Sequence, residues 1–398
     1  MARSLPKIVL KNGREKSLLR RHPWVFSGAI ERVDGAPASG DTVDIVDSAG
    51  KFVARAAFSP SSQIRARVWT FDAAEPIDAA FFRRRLARAV DSRRKLGMLG
   101  AGAACRLVFG ESDGLPGLIV DRYADFVVCQ FLAAGAERWR EELADLLMEI
   151  SAPRGVYERS EASARRKEGL TSRRGTLRGS EPPAELEVDV GAARWIVDIV
   201  SGQKTGAYLD QQRNRTRVAD FAAGGEVLDA FSYTGGFAVA ALLRGAASAT
   251  LVESSAEALR IAEREAAANG LTDRCRFVAA SVFDELREQR EAGRRYDLVV
   301  LDPPKFVHSA DQVNAGSRGY KDVNMLGLQL VRSGGVLATF SCSGHVDAAL
   351  FQKIVAGAAL DARRDAQIIE RLSQPADHPI AIEFPEAEYL KGLILRVH

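Results

Sequence analysis

The stretch that decides the fold is VLDAFSYTGGF, Val227 to Phe237, together with LDPPKF, Leu301 to Phe306, and ATFSCSG, Ala338 to Gly344. Each begins with a short apolar run, as a buried strand does, and ends in residues that favour a loop. Their order and spacing suit strands of one α/β sheet, in which ligands bind at the carboxyl ends of the strands. We therefore expect the three loops to meet in one site.

Strands and helices alternate around these stretches from about Ala193 onward. ATLVES (Ala249–Ser254) and CRFVAA (Cys275–Ala280) are further short apolar runs. Between them, AEALRIAEREAAANG (Ala256–Gly270) has helical spacing and a glycine suited to end a helix. The alternation predicts a doubly wound α/β sheet.

The part of the chain before this sheet has a different pattern. Residues 1–72 contain short alternating segments broken by turns, which predicts a small β-barrel. Residues 73–185 combine helical stretches with three strands around a Gly/Pro turn, which predicts an α+β middle domain. We assign the doubly wound domain to 186–398, and we expect a flexible hairpin or linker at 165–190, where turn-forming and charged residues are frequent.

The composition excludes several classes of protein. Hydrophobic residues make up 46% of the chain, but no apolar run reaches the roughly 18 residues of a membrane helix, so we expect a cytoplasmic protein with no membrane partner. Cys105, Cys129, Cys275 and Cys342 lie far apart, without the CxxC or Cys/His pairing of a zinc site. We therefore expect neither disulfides nor a metal.

Positive charge is concentrated in two parts of the chain. Residues 1–100 hold 19 lysines and arginines against 10 acidic residues, although the whole chain carries only +3. A second basic cluster consists of Arg154, Arg159, Arg165, Arg166, Lys167, Arg173, Arg174 and Arg178. Such segregation is typical of a surface that binds a phosphate backbone, although charge alone fits a solvated surface equally well.

The FSYTGG loop has the features of a cofactor site. Gly235 and Gly236 let backbone N–H groups approach a ligand, and a helix that begins there offers donors to a carboxylate. Glu253 ends the next strand, where acidic residues accept from ribose hydroxyls in nucleotide-binding sheets. The pattern is not the GxGxxG of dinucleotide-binding proteins, and it suits S-adenosylmethionine, whose carboxylate the helix would bind.

The LDPPKF loop is suited to hold a flat heterocycle. Two successive prolines stiffen it and remove two N–H donors, so the carbonyl groups ahead of them can point into the site. Phe306 can stack on a base, and Asp302 can hydrogen-bond its polar edge. The loop alone equally suits methylation of an exocyclic amine, or a rigid strand exit with no chemistry.

Cys342 supplies what carbon methylation needs. Carbon-5 of cytosine becomes nucleophilic only after a group adds to carbon-6, and a thiolate both adds and leaves readily. Cys342 ends an apolar strand, whereas Cys129 and Cys275 lie inside such strands and are expected to be structural. We expect Cys342 and Asp302 to be catalytic, with Asp302 stabilising the charge that develops at nitrogen-3.

With these residues in view, the chain resembles the bacterial large-subunit rRNA cytosine-C5 methyltransferases of the three-domain type. The resemblance runs, in that family's order, through RRHPWVFSGAI, GQKTGAYLDQQ, LDAFSYTGGF, LDPPKF, RGYKDVNML, TFSCSG, ADHP and EYLKG. It implies an N-terminal PUA RNA-binding domain, a middle domain of EEHEE type and a C-terminal Rossmann-like class I methyltransferase domain. It also implies large-subunit rRNA as the partner, and it leaves the oligomeric state open, with a homodimer as one option.

The resemblance further implies which residues form the site. The family's nucleophile falls on Cys342 and its proline loop on Asp302 to Phe306. The expected cofactor-binding residues are Tyr208, Gln211, Phe231, Ser232, Tyr233, Thr234, Gly235, Glu253, Ser281, Val282 and Asp302, and the expected substrate-binding residues are Pro303, Pro304, Lys305 and Phe306.

Two positions depart from that family's pattern. Gln212 stands where the family carries an arginine, so the role of that arginine is either absent or supplied by Arg213. Ala280 and Ser281 stand where an acidic residue meets the adenine amine, so adenine recognition is expected to rely on Ser281, Val282 and the backbone.

Two other functions remain compatible with the sequence. An amine methyltransferase acting on nucleic acid or protein would use the proline loop without needing Cys342. A non-catalytic RNA-binding ribosome-assembly factor would account for the barrel and the arginines, but it gives no reason for the FSYTGG loop with Glu253.

Overall fold

Two units make up the structure, a computed structural model that describes residues 5–398. The first unit contains the chain up to Val188, Val197–Leu209 and Ala376–Ala387. The second contains Asp189–Ile196, Asp210–Pro375 and Glu388–His398. Three short segments of the predicted third domain, 186–188, 197–209 and 376–387, thus fall in the first unit, and the domain boundaries at 72 and 185 stay a prediction.

The first unit begins with a mixed six-stranded sheet. Its strands are β1 (Lys7–Leu10), β2 (Trp24–Phe26), β3 (Ile30–Asp34), β4 (Thr42–Val46), β5 (Phe52–Phe58) and β6 (Ile64–Thr70), and helix α1 (Lys16–Leu19) lies between β1 and β2 in sequence. The order β2-β6-β5-β4-β1-β3 leaves β2 and β3 as edges. Alternate residues such as Val43 and Ile45 face a core shared with Ile8, which is why the strands show the two-residue period seen in the sequence.

A five-stranded sheet forms the rest of the first unit. Its strands are β7 (Ala104–Phe109), β8 (Leu118–Tyr123), β9 (Phe126–Phe131), β10 (Gly155–Ser160) and β11 (Arg173–Gly179), in the order β11-β10-β9-β8-β7. Its helices are α2 (Ala79–Lys95), α3 (Ala134–Arg138), α4 (Arg140–Ser151) and α5 (Ala164–Lys167). Asp78 caps α2 by accepting from the Phe81 N–H at 2.9 Å, and the apolar faces of α2 and α4 pack on the sheet, which is the α+β arrangement predicted for this region.

A flexible hairpin or linker was predicted at 165–190; this region instead contains helix α5 and strand β11, so the flexible linker was wrong, whereas antiparallel pairing does occur there. Residues 173–179 pair antiparallel with β10 and complete the sheet. Arg165 is 1% exposed and donates to the carbonyl groups of Phe131 and Thr171 and to the Glu137 carboxylate. Arg165, one of the charged residues that suggested a solvated segment, therefore forms internal bonds, which composition does not reveal.

The second unit is built on a seven-stranded sheet. Before it, β12 (Leu186–Val190) and β13 (Ala193–Val197) form a two-stranded sheet. The large sheet contains β14 (Glu226–Ala230), β15 (Ser248–Glu253), β16 (Cys275–Ala279), β17 (Tyr296–Leu301), β18 (Val331–Ser341), β19 (Ala366–Ser373) and β20 (Lys391–Val397). Its helices are α6 (Gln212–Ala219), α7 (Gly236–Leu243), α8 (Ala256–Ala268), α9 (Val282–Glu291), α10 (Val313–Leu330) and α11 (Ala348–Ala362).

The strand order β16-β15-β14-β17-β18-β20-β19 confirms the predicted doubly wound fold. The first five strands of this order run parallel, and β20 runs antiparallel to both of its neighbours. The inner parallel strands β14, β15, β17 and β18 are largely buried on both faces, which explains apolar runs such as that of β17, whereas the edge strand β16 is partly exposed. The strand order changes direction between β14 and β17, which is the point where doubly wound sheets usually bind ligands.

Short 3₁₀ helices lie at Ser27–Ala29, Gly110–Asp113, Leu209–Gln211, Thr272–Arg274, Ala310–Gln312 and Pro385–Ala387. In the described part of the chain, no helix combines the length and apolar character that spanning a bilayer requires.

Candidate active site

The parallel register brings the three decisive loops to one edge of the sheet. Ala230 of β14 aligns with Val252 of β15 and with Leu301 of β17, and Leu301 aligns with Thr339 of β18. The FSYTGG loop, Glu253, the DPPKF loop and Cys342 therefore follow the aligned strand ends at the same edge. This is the meeting of loops that the sequence predicts.

The loop after β14 holds an unusual backbone shape. Phe231 and Tyr233 have φ values of 62° and 50°, and Gly235 has a φ of 83°. These left-handed conformations are costly for residues other than glycine. Backbone hydrogen bonds maintain them: the Ser232 N–H donates to the Val252 carbonyl at 3.1 Å, and the Gly235 N–H donates to the Ser232 carbonyl at 2.8 Å.

Glu253 takes part in holding this loop. One carboxylate oxygen accepts from the Tyr233 N–H at 3.1 Å, and the other accepts from the Ser255 N–H at 2.9 Å and the Ser254 hydroxyl at 3.0 Å. The side chain is half-buried. Glu253 thus links the end of β15 to the loop that begins α7, a role the sequence did not predict.

Several buried polar atoms of the second unit have no hydrogen-bond partner among residues 5–398. They include the hydroxyl of Ser232, Nε2 of Gln211 and Oδ1 of Asp229, and these three residues are 8%, 2% and 1% exposed. The other Asp229 oxygen accepts from the Ala238 N–H at 3.0 Å, in the first turn of α7. Because buried polar groups are normally paired, these atoms fit a ligand that carries both donors and acceptors.

Arg215, which the sequence analysis did not single out, lies beneath the loop. Its guanidinium stacks on the Trp195 ring at 4.5 Å, and a side chain at Gly236 would lie 2.6 Å from its Nε. Position 236 therefore requires glycine. Arg213, proposed as a substitute for the missing arginine at position 212, is exposed instead. The only sequence signal that could have distinguished the buried Arg215 from the exposed Arg213 is the face of α6 on which each one lies.

The other predicted cofactor residues are less closely grouped. Ser281 is exposed at the start of α9, whereas Val282 is 5% exposed and its side chain belongs to the hydrophobic core. Tyr208 lies in the first unit, where its hydroxyl donates to Gln203 at 2.6 Å and Lys204 stacks on its ring. Contacts of these three residues with a cofactor stay a prediction.

Burial raises the pKa of two carboxyl groups in the second unit. The pKa of Asp229 rises to about 7, and that of Glu265 in α8 rises to about 8. The neighbouring Asp302 carboxylate adds to the rise at Asp229, while the Arg215 guanidinium opposes it. Both groups therefore keep a proton at a pH where carboxyl groups of the unfolded chain are ionised.

We predict that Glu265→Gln weakens the pH dependence of stability. Above about pH 4.5 the unfolded Glu265 is ionised while the folded one keeps its proton up to about pH 8, so its contribution to the free energy of unfolding falls as pH rises. The glutamine cannot ionise, yet its carbonyl can still accept from the Ile196 N–H, as Glu265 does at 3.3 Å. The thermal midpoint should therefore decrease less between about pH 5.5 and pH 8, by a few degrees.

The control for this measurement is Glu263→Gln, which changes an exposed residue of the same helix. It should follow the wild-type midpoint across the pH range. A Glu265→Gln profile parallel to that of the wild type would contradict the prediction.

Ser343 joins the proline loop to the loop that carries Cys342. Its hydroxyl accepts from the Val307 N–H at 3.3 Å and bonds the Tyr320 hydroxyl at 2.9 Å. The side chain of Ser343 is fully buried. The residue after Cys342 is thus bonded to the residue after Phe306, which fixes the two loops against each other.

Aromatic rings surround the end of the proline loop. Phe306 is half-buried, and its ring centroid lies 4.8 Å from that of Tyr320, 6.1 Å from that of Phe283 and 6.4 Å from that of Phe231. Helix α10 packs closely on the loop. A side chain at position 316, where α10 has glycine, would lie only 2.3 Å from Val307. Of the other predicted substrate residues, Pro303 is buried, Pro304 is exposed and Lys305 is half-buried.

Within residues 5–398 none of the four cysteines forms a disulfide, and their surroundings differ. Burial raises the pKa of Cys105 to about 12 and that of Cys275 to about 11, and it raises the pKa of fully buried Cys129 well above its usual value. Cys342 is half-buried and follows β18 directly at the edge where the loops meet. Within residues 5–398, no group of three or more His, Cys, Asp or Glu side chains is arranged to hold a metal ion.

Comparison with known families identifies two parts of the chain. Residues 8–71 match the family described as PUA-like domain, and residues 175–396 match the family described as S-adenosylmethionine-dependent methyltransferase. Among solved structures, a protein from Streptococcus mutans described as a SAM-dependent methyltransferase has a TM-score of 0.83 at 22% identity, covering 98% of this chain and 99% of that one. A methyltransferase complexed with SAH has a TM-score of 0.84 at 22% identity, again covering 98% and 99%.

Relatives with higher identity match nearly the whole chain. The Ribosomal RNA large subunit methyltransferase I of Aeromonas hydrophila is 53% identical over 391 residues, covering 98% of each chain. The protein of the same name from Klebsiella pneumoniae is 50% identical over 393 residues, also covering 98% of each. With its N-terminal PUA-like domain and its doubly wound sheet, this chain belongs to the S-adenosylmethionine-dependent methyltransferases, in the family of the proteins named Ribosomal RNA large subunit methyltransferase I.

Proposed function

We propose that this protein transfers a methyl group from S-adenosylmethionine to carbon-5 of a cytosine in large-subunit rRNA, through a covalent adduct with Cys342. The relatives named Ribosomal RNA large subunit methyltransferase I support the substrate class, and the PUA-like domain supports binding to RNA. The choice of carbon-5 rests on the thiol and its position next to the proline loop.

The residues at the edge of the second-unit sheet fit S-adenosylmethionine. The N–H groups at the start of α7 and the unpartnered Ser232 hydroxyl are suited to its carboxylate, and Glu253 is suited to its ribose. The cofactor carries a sulfonium and an ammonium, which the negative charge of Glu253 at this edge favours. When bound, it supplies the methyl group in electrophilic form.

One observation carries the proposed reaction: the Ser343 hydroxyl bonds the Val307 N–H at 3.3 Å and so ties Cys342 to the DPPKF loop. A base held by Asp302 and this loop would therefore lie within reach of the thiol. The other three cysteines are poor candidates, because burial raises the pKa of each and disfavours the thiolate.

The chain's residues perform the chemistry in three steps. The Cys342 thiolate adds to carbon-6 and forms an S–C bond, while Asp302 in its protonated form donates a hydrogen bond to nitrogen-3 and stabilises the charge that moves into the ring. Carbon-5, now nucleophilic, would take the methyl group, and S-adenosylhomocysteine would remain as the other product. A base then removes the carbon-5 proton, the S–C6 bond breaks, and Cys342 leaves as the thiolate.

The direct test is to methylate deproteinised large-subunit rRNA with the purified protein and isotope-labelled S-adenosylmethionine, and to identify the labelled nucleoside by mass spectrometry. The expected product is 5-methylcytosine at a defined position. Label on an exocyclic amine would replace the proposal with amine methylation. Absence of label from rRNA and from assembling particles alike would contradict it altogether.

We predict that Glu253→Ala weakens S-adenosylmethionine binding by about 1–3 kcal/mol, because it leaves ribose hydroxyls and the Tyr233 N–H without their acceptor. Titration calorimetry of the purified protein measures this directly. Glu253→Gln separates the two causes, since its carbonyl oxygen can still accept from Tyr233 but its amide cannot replace the carboxylate at the ribose.

The matched control is Glu257→Ala, which removes an exposed carboxylate from the first turn of α8. Its affinity should equal that of the wild type. Unchanged affinity in Glu253→Ala would remove Glu253 from the cofactor site.

A further inference from the structure

Lys391 is the first residue of β20 and lies beside the end of β18. It pairs in register with Ser341, the residue before Cys342. Only 7% of Lys391 is exposed. A lysine so deeply buried is uncommon, because an ammonium loses hydration that its surroundings must replace.

The ammonium is bonded to neutral groups. Its Nζ donates to the carbonyl of Ser343 at 2.7 Å and to the carbonyl of Tyr389 at 2.8 Å. Two of its three N–H groups are thereby used. Among residues 5–398, Lys391 forms no salt bridge, so its positive charge is available to other groups at this edge.

The charged groups that shift the pKa of Lys391 show which side chains its ammonium interacts with. The pKa of Lys391 is lowered to about 8, mainly by burial and to a smaller extent by Lys305. Negative charge on Cys342 is the largest influence that raises it, followed by Glu388 and Asp347. Because such an interaction is mutual, the ammonium favours the ionised form of Cys342 to the same extent.

Tyr320 also faces the thiol. Burial raises the pKa of Tyr320, its bonds to the Ser341 and Ser343 hydroxyls lower it, and charge on Cys342 raises it again. A neutral phenol carries no charge at neutral pH, so Tyr320 does not supply the positive charge that would balance a thiolate at Cys342.

We propose that Lys391 is a positioning residue that stabilises the thiolate of Cys342 and, through the Ser343 carbonyl, holds the loop that presents it. The thiol proton is released to water, and the resulting S⁻ is balanced by the ammonium. The inference rests on the proposed role of Cys342 as the nucleophile, and it names the group that makes this thiol reactive.

The test is the rate at which iodoacetamide alkylates Cys342 in the full-length protein as a function of pH, followed by mass spectrometry of the Cys342 peptide. The thiolate displaces iodide, so the rate follows the ionised fraction. Lys391→Met, of similar length but without charge, should move the midpoint of the profile up by about one pH unit and slow alkylation several-fold at neutral pH. Lys391→Arg, which keeps the charge, should restore most of the rate.

A purely structural role predicts a different result. If Lys391 only held the loop, Lys391→Met would change the rate by the same factor at every pH, and the midpoint would not move; that outcome overturns the proposal. Equal rates for the variant and the wild type at high pH, where the thiol is ionised in both, support it. Lys353→Met removes an exposed lysine of α11 and should leave the profile unchanged.

Two further points keep the test decisive. Lys391→Gln serves in place of the methionine variant if that variant does not fold, as judged by its thermal midpoint. Alkylation needs no RNA, so an unmoved midpoint counts against Lys391 alone, whereas methylation away from carbon-5 counts against the proposed function alone.

Discussion

Replacing Cys342 with alanine is expected to abolish methyl transfer to rRNA while leaving S-adenosylmethionine affinity within about twofold of the wild type. The reason is that the thiol acts in the chemical step, since carbon-5 stays unreactive unless a nucleophile occupies carbon-6. The cofactor loop and Glu253 belong to other strand ends and keep their bonds in this variant. Labelled methyl transfer and calorimetry on the same preparation check both parts.

A covalent adduct provides the complementary measurement. RNA that carries 5-fluorocytosine at the target should trap the wild-type enzyme, because fluorine cannot leave from carbon-5 as a proton does. The adduct should map to Cys342 and be absent from Cys342→Ala. Cys275→Ala is the matched control, because this half-buried thiol has a pKa raised to about 11 and should not contribute.

Two outcomes would contradict the assignment. An adduct recovered on Cys105, Cys129 or Cys275 would move the nucleophile to another part of the chain. Turnover by Cys342→Ala at a rate near that of the wild type would favour an amine acceptor, which needs no carbon-6 adduct.

The second large effect is expected in the salt dependence of rRNA binding. A protein that neutralises about six phosphates loses about 10³ in affinity between 50 and 200 mM salt, because bound counterions are released. The structure identifies which members of the basic cluster are available to neutralise phosphates. Arg159 and Arg165 are 8% and 1% exposed and bond backbone carbonyls, and Arg173 and Arg178 pair with carboxylates.

The remaining members are exposed and form no salt bridge among the described residues. They are Arg154, Arg166, Lys167 and Arg174. The double variant Arg166→Ala, Lys167→Ala should therefore lower the slope of log affinity against log salt by roughly 0.7 for each phosphate that is no longer neutralised, with no change in thermal midpoint. Filter binding at several salt concentrations measures the slope.

Two controls define the result. Arg260→Ala with Arg276→Ala removes two exposed arginines from the second unit and should leave the slope unchanged. Arg165→Ala, one residue away from Arg166, should instead lower the thermal midpoint, because it leaves the Phe131 and Thr171 carbonyls without a donor. A slope unchanged in the Arg166, Lys167 variant would exclude this segment from the RNA-binding surface.

The sheet and its edge could be predicted because their signals are local. A parallel strand buried on both faces appears as an unbroken apolar run, and the residue after such a run emerges at the ligand-binding edge. VLDA, LVVL and VLATFS all follow this rule, so the meeting of FSYTGG, DPPKF and Cys342 at one edge followed from the order of the strands.

The bonds that complete the site could not be predicted, because they join residues distant in sequence. Lys391 meets the Ser343 carbonyl across 48 positions, and Ser343 meets Val307 across 36. Charge was also a misleading signal for exposure, because tertiary packing decides whether a charged side chain is solvated or buried. Arg165 appears in sequence as one of a solvated run, yet its guanidinium supports the sheet of the first unit.

The backbone of the FSYTGG loop has a consequence for cofactor binding. Phe231 and Tyr233 adopt left-handed conformations that cost a side-chain-bearing residue roughly 1 kcal/mol or more each. Bonds to Val252 and Glu253 hold this shape in the free protein, so the conformational work is done during folding. Little entropy then remains to be lost when the cofactor arrives. A mutation that makes the loop flexible in the free protein would therefore weaken cofactor binding, because the loop would then lose entropy on binding. The interactions in the complex itself would be unchanged.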